Sequence, residues 1–473
     1  MFFNWHCATA HVLTRAAVVA QIRSNQFQGD STSSFVEFPE LRQVDGKVYI
    51  YNNGYLRTIS APKLVNVSGT LDVQYGYMTS FNMTSLARTG GVYMYQASKD
   101  GTFHLDSWSF PSLHTIDGQF EIRDNYYMGR LEMPKLSRIN SYVCLYNSGN
   151  YGDRGGFELE LPVLETIGSY MDVNYWRYGQ AWNLTSLRSI GSYFRWRDSY
   201  SGNTNERLEF PALESIGSYL YMYSTYNLEI VSMPSLATVG GDFYLYNNYH
   251  LREFQTPLSR VQGSLYFYNN DQYPNLAFDN ISSVGGRLYI HSNTILFRVS
   301  FTRLRSVSSE LQFYSNAQLR SVTFDSLRSI GSYTYIYSNP LLEQLHFEKL
   351  ESSSYIRILY NAQLRAVDYT SLSSISSTVR CGDSNKYKHV CIRSNANLDN
   401  VTLSALYHNG SYSVSIPTTV CVLYNLRSHG CVGSTWLRLP RRISRYALTS
   451  SAVLRPPQLS IRRPIYWRPA LLP

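Results

Sequence analysis

Apolar positions in this chain return in register every 22 or 23 residues. The pattern is clearest between Leu236 and Leu372. Val239 is followed by Phe243, Leu245, Asn248, Leu251 and Phe254, and Val261 by Leu265, Phe267 and Asn270. Val284 opens a third copy with Leu288, Ile290, Asn293, Leu296, Val299, Phe301 and Leu304. A fixed period of this size marks a solenoid, whose coils bury their apolar sides only by stacking on one another. Extended outward, the pattern places coil starts at Val44, Val67, Thr89, Ile116, Ile139, Ile167, Ile190 and Ile216. They continue at Val239, Val261, Val284, Val307, Ile330, Ser352 and Ile375, giving about 15 coils.

Within a coil the pattern predicts local structure. Phe243-Tyr244-Leu245-Tyr246 alternates apolar and polar-tipped residues, as does Leu265-Tyr266-Phe267-Tyr268. Period two predicts a short β-strand with one face inward. The Asn that follows is expected at a corner, taking left-handed backbone while its amide satisfies turn groups. Glycines after the coil start, such as Gly217, Gly240 and Gly241, allow a tight turn. Parallel strands about 4.8 Å apart would give a rod of roughly 70 Å.

The run Leu-x-x-Ile-Gly-x-x-Leu-x-Ile-x-x-Asn-x-x-Leu-x-x-Leu resembles the receptor L-domain, a relative of leucine-rich repeats. The likeness covers about residues 35 to 400. Such domains occur in ectodomains of insulin- and epidermal-growth-factor-type receptors and in GPI-anchored fungal cell-wall proteins. The second group is the more similar, because no cysteine-rich insert separates the coils. The expected fold is all-β: a right-handed parallel β-helix or leucine-rich-repeat-like solenoid. Expected divisions are a non-repeat segment 1–34, the solenoid 35–380, a cysteine-containing cap 381–431, and a basic, disordered Pro/Arg-rich tail 432–473. The resemblance implies a ligand-binding, non-enzymatic protein outside the cell or on its surface.

Charge changes that picture little. The net charge is +9, but residues 432–473 hold eight Arg and no Lys, Asp or Glu, leaving about +1 for the rest. The basic balance therefore gives no reason to expect nucleic acid. Ala8 to Ala20, interrupted by His11 and Arg15, makes a poor signal peptide. No 18-residue apolar run predicts a transmembrane segment, and no hydrophobic tail suits a GPI signal. Chain ends that replace a leader and a Ser/Thr-rich anchor account for both.

Two features favour export. Six Asn-x-Ser/Thr triplets, at Asn66, Asn82, Asn183, Asn280, Asn400 and Asn409, are candidate glycosylation sites. Cys381, Cys391, Cys421 and Cys431 cluster where the repeat ends, where two disulfides would suit a cap. Reduced thiols and a zinc site are the alternatives, the latter at odds with nine-residue gaps. Cys144 falls at an outward strand position, where a free thiol would be exposed. No metal or cofactor is expected.

The first half of the solenoid is less regular. Inserted runs 97–102, 148–156 and 199–207 are Gly-, Ser- or Asn-rich and fall after the strand. In those coils the outward strand residues are Glu121 and Arg123, Asp172 and Asn174, and Arg195 and Arg197 rather than Tyr. Asp172 and Arg195 are expected to pair across adjacent strands. With Arg197 they form a polar patch, the nearest approach to the stacked acids and bases of a β-helix polysaccharide enzyme. That enzyme is the alternative function, but an Arg-paired carboxylate makes a poor general acid.

Tyrosine is the most distinctive component, at 41 residues. The alternation places Tyr221, Tyr223, Tyr244, Tyr246, Tyr266, Tyr268, Tyr289, Tyr314, Tyr335 and Tyr337 outward. Tyr49, Tyr51, Tyr93, Tyr95, Tyr146 and Tyr360 extend the set. Stacked coils turn these into two rows on one sheet face. Such a face is expected to be a large exposed aromatic surface for a protein or glycan partner. A ladder that merely stabilises the sheet is the competing account.

Overall fold

A computed structural model describes residues 34–52, 56–97, 108–125, 129–148, 158–175, 181–197, 207–226, 228–380 and 387–402. It also describes backbone segments at 20–23, 414–415, 421–422, 430–431 and 436–437. The chain is an all-β solenoid of stacked parallel strands, with a coil count close to that expected. A regular coil has three strands: a corner pair (Thr238–Val239), a long strand (Phe243–Tyr246) and a third-wall strand (Glu253–Gln255). Corner and long strands of successive coils join one continuous sheet, while third-wall strands form separate, shorter sheets. The long-strand ladder runs from Ala20–Arg23, in register with Val48–Tyr51, to Val390–Arg393 and on to Val414–Ser415.

Register is what makes the outer face orderly. Phe243, Leu265 and Leu288 lie side by side, as do Tyr244, Tyr266 and Tyr289. Every second residue of the long strand therefore enters the core, and those between form rows on the solvent side. Val239, Phe243, Leu245, Leu251 and their equivalents are fully buried. A stack of rings lines the third wall: Phe278, Phe301, Phe324, Phe347 and Tyr369, with centroids 5.1 to 5.9 Å apart.

The corner after the long strand divides the two tasks expected of one Asn. Asn248, Asn270, Asn293, Asn316, Asn339, Asn361 and Asn395 are buried and form a ladder up the solenoid. Asn316 Oδ1 accepts from the backbone N–H and Nδ2 of Asn293 at 3.2 and 2.9 Å. Its own Nδ2 donates to the Ile290 carbonyl at 3.0 Å. The left-handed backbone falls one residue earlier, at Asn247, Asn269, Ser292, Ser315 and Ser338, with φ between 52° and 55°. That residue turns the chain while the Asn side chain points inward to the freed backbone groups. Tyr360, expected on the strand face, occupies this same turning position, with φ 57°, and is exposed.

Gly217 is required by close approach. A Cβ there would sit 2.1 Å from the Gly191 carbonyl oxygen of the preceding coil. No helix among the described residues is long and apolar enough to cross a membrane.

Candidate binding face

The two expected rows stand on the solvent side of the long strands. In the outer row Tyr223, Tyr246, Tyr268, His291, Tyr314 and Tyr337 stack with centroids 4.3 to 5.0 Å apart. In the inner row Tyr221, Tyr244 and Tyr266 stack at 4.3 Å, and Tyr289 meets Tyr266 edge-on at 5.3 Å. Gln312 then intervenes, donating to the Tyr289 and Tyr333 hydroxyls at 2.8 Å each. Tyr335 continues the row and lies 4.2 Å from Tyr337.

A third row was not anticipated. Tyr142, Tyr170, Tyr193 and Tyr219 precede their long strands by one residue and stack face to face at 4.6 to 4.7 Å. Tyr333 and Tyr355 repeat the arrangement at 4.9 Å. The signal was present as recurrent Ser-Tyr pairs after the coil start, in Gly168-Ser169-Tyr170, Gly191-Ser192-Tyr193 and Gly217-Ser218-Tyr219. Tyr219 meets Tyr221 at 4.6 Å and Tyr244 meets Tyr246 at 6.3 Å. Ring contact therefore runs unbroken from Tyr142 to Tyr337, drifting across the face as it climbs. In the coils of Asp172 and Arg195 the tyrosines have moved over one row rather than disappeared, while Gln119 holds that place in the coil of Glu121.

The face differs from expectation in one further respect. These tyrosines are half-buried rather than exposed. Strand spacing is close to ring-stacking distance, so neighbours cover one another's faces and leave edges and hydroxyls to solvent. For Tyr221, Tyr244, Tyr246, Tyr268, Tyr289, Tyr314 and Tyr337 burial is the first cause of a raised pKa. The Tyr246 phenol is pushed up to about 12, by burial first and then by Tyr268 and Tyr223. Burial pushes His291, sandwiched between Tyr268 and Tyr314, down to about 4.

Charged residues fill the positions the tyrosines leave. Asp172 and Arg195 do pair across adjacent strands, Arg195 Nε donating to Asp172 Oδ1 at 2.9 Å with a second contact from Nη2. That bidentate contact, with burial working against it, raises the Arg195 pKa. Arg197 Nε donates to Asn174 at 2.9 Å, and its guanidinium lies 4.3 Å from the Tyr175 ring. Glu121 accepts from the Tyr142 hydroxyl at 2.9 Å and pairs with Arg123. Cys144 lies between Glu121 and Asp172 in register, yet is buried rather than exposed. Burial pushes its thiol up to about 11, with Arg123 opposing.

The remaining candidates stand apart from this face. Asn66, Asn82, Asn183, Asn280 and Asn400 lie on corner or third-wall segments; Asn409 lies outside the described residues. Cys391 is buried and disulfide-bonded. Cys381 lies outside the described residues, and only backbone is described at Cys421 and Cys431. The inserted runs and the tail likewise fall almost wholly outside. Among the described residues no group of three or more His, Cys, Asp or Glu is placed to hold a metal ion.

No family model matches the chain, and no curated protein matches it. Among solved structures, the crystal structure of a TLR13–ssRNA13 complex aligns at 11% identity over 81% of this chain and 73% of that one. The TM-score of 0.17 is too low to bear on this protein's function.

Proposed function

We propose that this chain is a non-enzymatic binding protein, displayed outside the cell, that docks a partner on its tyrosine-lined face. The observation that carries the reading is the unbroken run of ring contacts from Tyr142 to Tyr337 on the solvent side of the sheet. Tyrosine offers rigid area at low entropic cost and a hydroxyl that needs no burial. With ring faces already covered, recognition falls to edges and hydroxyls. That favours a flat, hydrogen-bonding protein surface over a sugar that needs a bare ring. Resemblance to receptor L-domains and fungal-type cell-wall proteins points the same way. The candidate acids of the polar patch support the non-enzymatic reading, since Asp172 is held by Arg195 and Glu121 by Tyr142 and Arg123.

The test replaces Tyr244, Tyr246, Tyr266 and Tyr268 together with Thr. Melting temperature and binding to cell-wall material are measured, before and after protease treatment of that material. The expected result is lost binding with the fold retained, and no binding by the wild type to protease-treated material. Binding that survives protease would identify a glycan instead. Lower stability with binding unchanged would leave the rings as a stabilising ladder only.

A further inference from the structure

The described sequons are not scattered over the coil. Asn82, Asn183, Asn280 and Asn400 lie outside the long strands, and Asn66 opens the merged strand Asn66–Gln74 at its corner end, opposite Gln43, so none stands in the tyrosine rows. Their surroundings differ. Asn280 sits in the turn after the third-wall strand Asn275–Ala277, exposed, with no partner for its amide among the described residues. The turn around it is fixed. Asp279 Oδ1 accepts from the Thr302 backbone N–H at 3.1 Å, and the Ile281 N–H bonds the Phe278 carbonyl at 3.1 Å. Asn82 ends the strand Ser80–Asn82 and is also exposed, its Nδ2 donating to Ser60 Oγ at 3.0 Å.

Two other sequons are less exposed. Asn183 is half-buried in its strand, with Nδ2 donating to Glu160 at 2.8 Å and Oδ1 accepting from Thr185 at 3.1 Å. Asn400 opens the strand Asn400–Thr402, between Ala366 and Cys421 in register, and its Oδ1 is buried. Asn183 holds the strand position of Asn82 but is less exposed and is bonded through both amide atoms, and the Asn400 oxygen is covered.

From this we infer that Asn280 and Asn82 are N-glycan acceptors of the folded protein. Their sugars stand on the third wall and leave the tyrosine face bare. The inference rests on the export reading above. In the transfer, a lipid-pyrophosphate-linked oligosaccharide is the donor. Its anomeric C–O bond to pyrophosphate breaks, a C–N bond to Asn Nδ2 forms, and that nitrogen gives up one proton. The carboxamide keeps its second N–H and its oxygen.

The experiment expresses the full chain behind a host leader in a eukaryotic secretory cell. Occupancy is read site by site by mass spectrometry of glycopeptides from the soluble, folded fraction. Asn280 and Asn82 are expected to be occupied, and Asn183 and Asn400 bare. Asn280→Gln and Asn82→Gln are each expected to remove one glycan's mass without changing solubility. Asn280 bare while Asn183 or Asn400 is occupied would overturn the assignment. Occupancy needs no ligand, so this result is independent of whether the tyrosine variant loses binding. Because the host leader supplies export, a bare Asn280 counts against the acceptor geometry and not against the export reading.

Discussion

At the scale of the residue, the chain obeys the rule that buried polar atoms find partners, and its exceptions are informative. The Tyr369 hydroxyl is buried in the third-wall ring stack with no hydrogen-bond partner among the described residues. Burial drives its pKa up, the neutral phenol being the only tolerable form there. The ring itself fits, stacked on Phe347 at 5.1 Å. Tyr369→Phe keeps the ring and removes an unmet donor, whose desolvation costs on the order of 1–3 kcal/mol. The variant is expected to be about 1 kcal/mol more stable, read as a higher denaturant midpoint with unchanged slope. A lower midpoint would mean that the hydroxyl has a partner, such as bound water.

At the scale of the element, the corner after the long strand is held by the asparagine ladder. Asn316→Ala would orphan the buried Asn293 backbone N–H and remove one bond from the Ile290 carbonyl. At about 1–3 kcal/mol for the orphaned N–H and about 1 for the lost bond, the loss is expected to be about 2–4 kcal/mol. Ser148 holds the same rank in an irregular coil, accepting from the Asn125 N–H at 3.2 Å and donating to the Tyr146 carbonyl at 2.9 Å. Asn316→Ser is therefore expected to cost less than Asn316→Ala. Equal losses from the two would show that the amide's reach to the neighbouring coil, rather than the acceptor alone, holds the corner. Denaturant unfolding of the three proteins decides it. The same logic explains a half-correct expectation: Asn belongs at this corner for its amide, while the left-handed turn is made by the residue before it.

At the scale of the whole molecule, the tyrosine stripe couples stability to alkaline pH. Tyr246 and Tyr193 are pushed up to about 12, by burial first, and burial raises Tyr244 and Tyr289 as well. In the unfolded chain these phenols titrate near 10. Below that pH both states are protonated and the contribution is complete. Above it the unfolded chain releases protons that the folded chain keeps, so stability falls as pH rises from about 10 to about 12. Urea midpoints measured across that interval are expected to fall steeply for the wild type. The slope should be shallower once Tyr244, Tyr246, Tyr266 and Tyr268 are Thr. Parallel slopes would mean that the stacked rings titrate no differently from free ones.

Much of this was legible in the chain. Each coil repeats one short code, so period, strand position and inward residues such as Phe243, Leu245 and Val239 follow from alternation alone. The pairing of Asp172 with Arg195 follows too, because a constant register fixes which residues become neighbours. What alternation cannot supply is lateral coverage. Whether a side chain pointing outward is exposed depends on residues one coil away, 22 or more positions along the sequence. Stacking at the strand spacing turned a face expected to be open into a half-buried one, and it buried Cys144 between Glu121 and Asp172. Likewise the row Tyr142, Tyr170, Tyr193 and Tyr219 lies just before the alternating stretch, where a period of two gives no direction. Local periodicity thus determined the solenoid and its core. Contacts between coils alone decided which outward groups remain free to meet a partner.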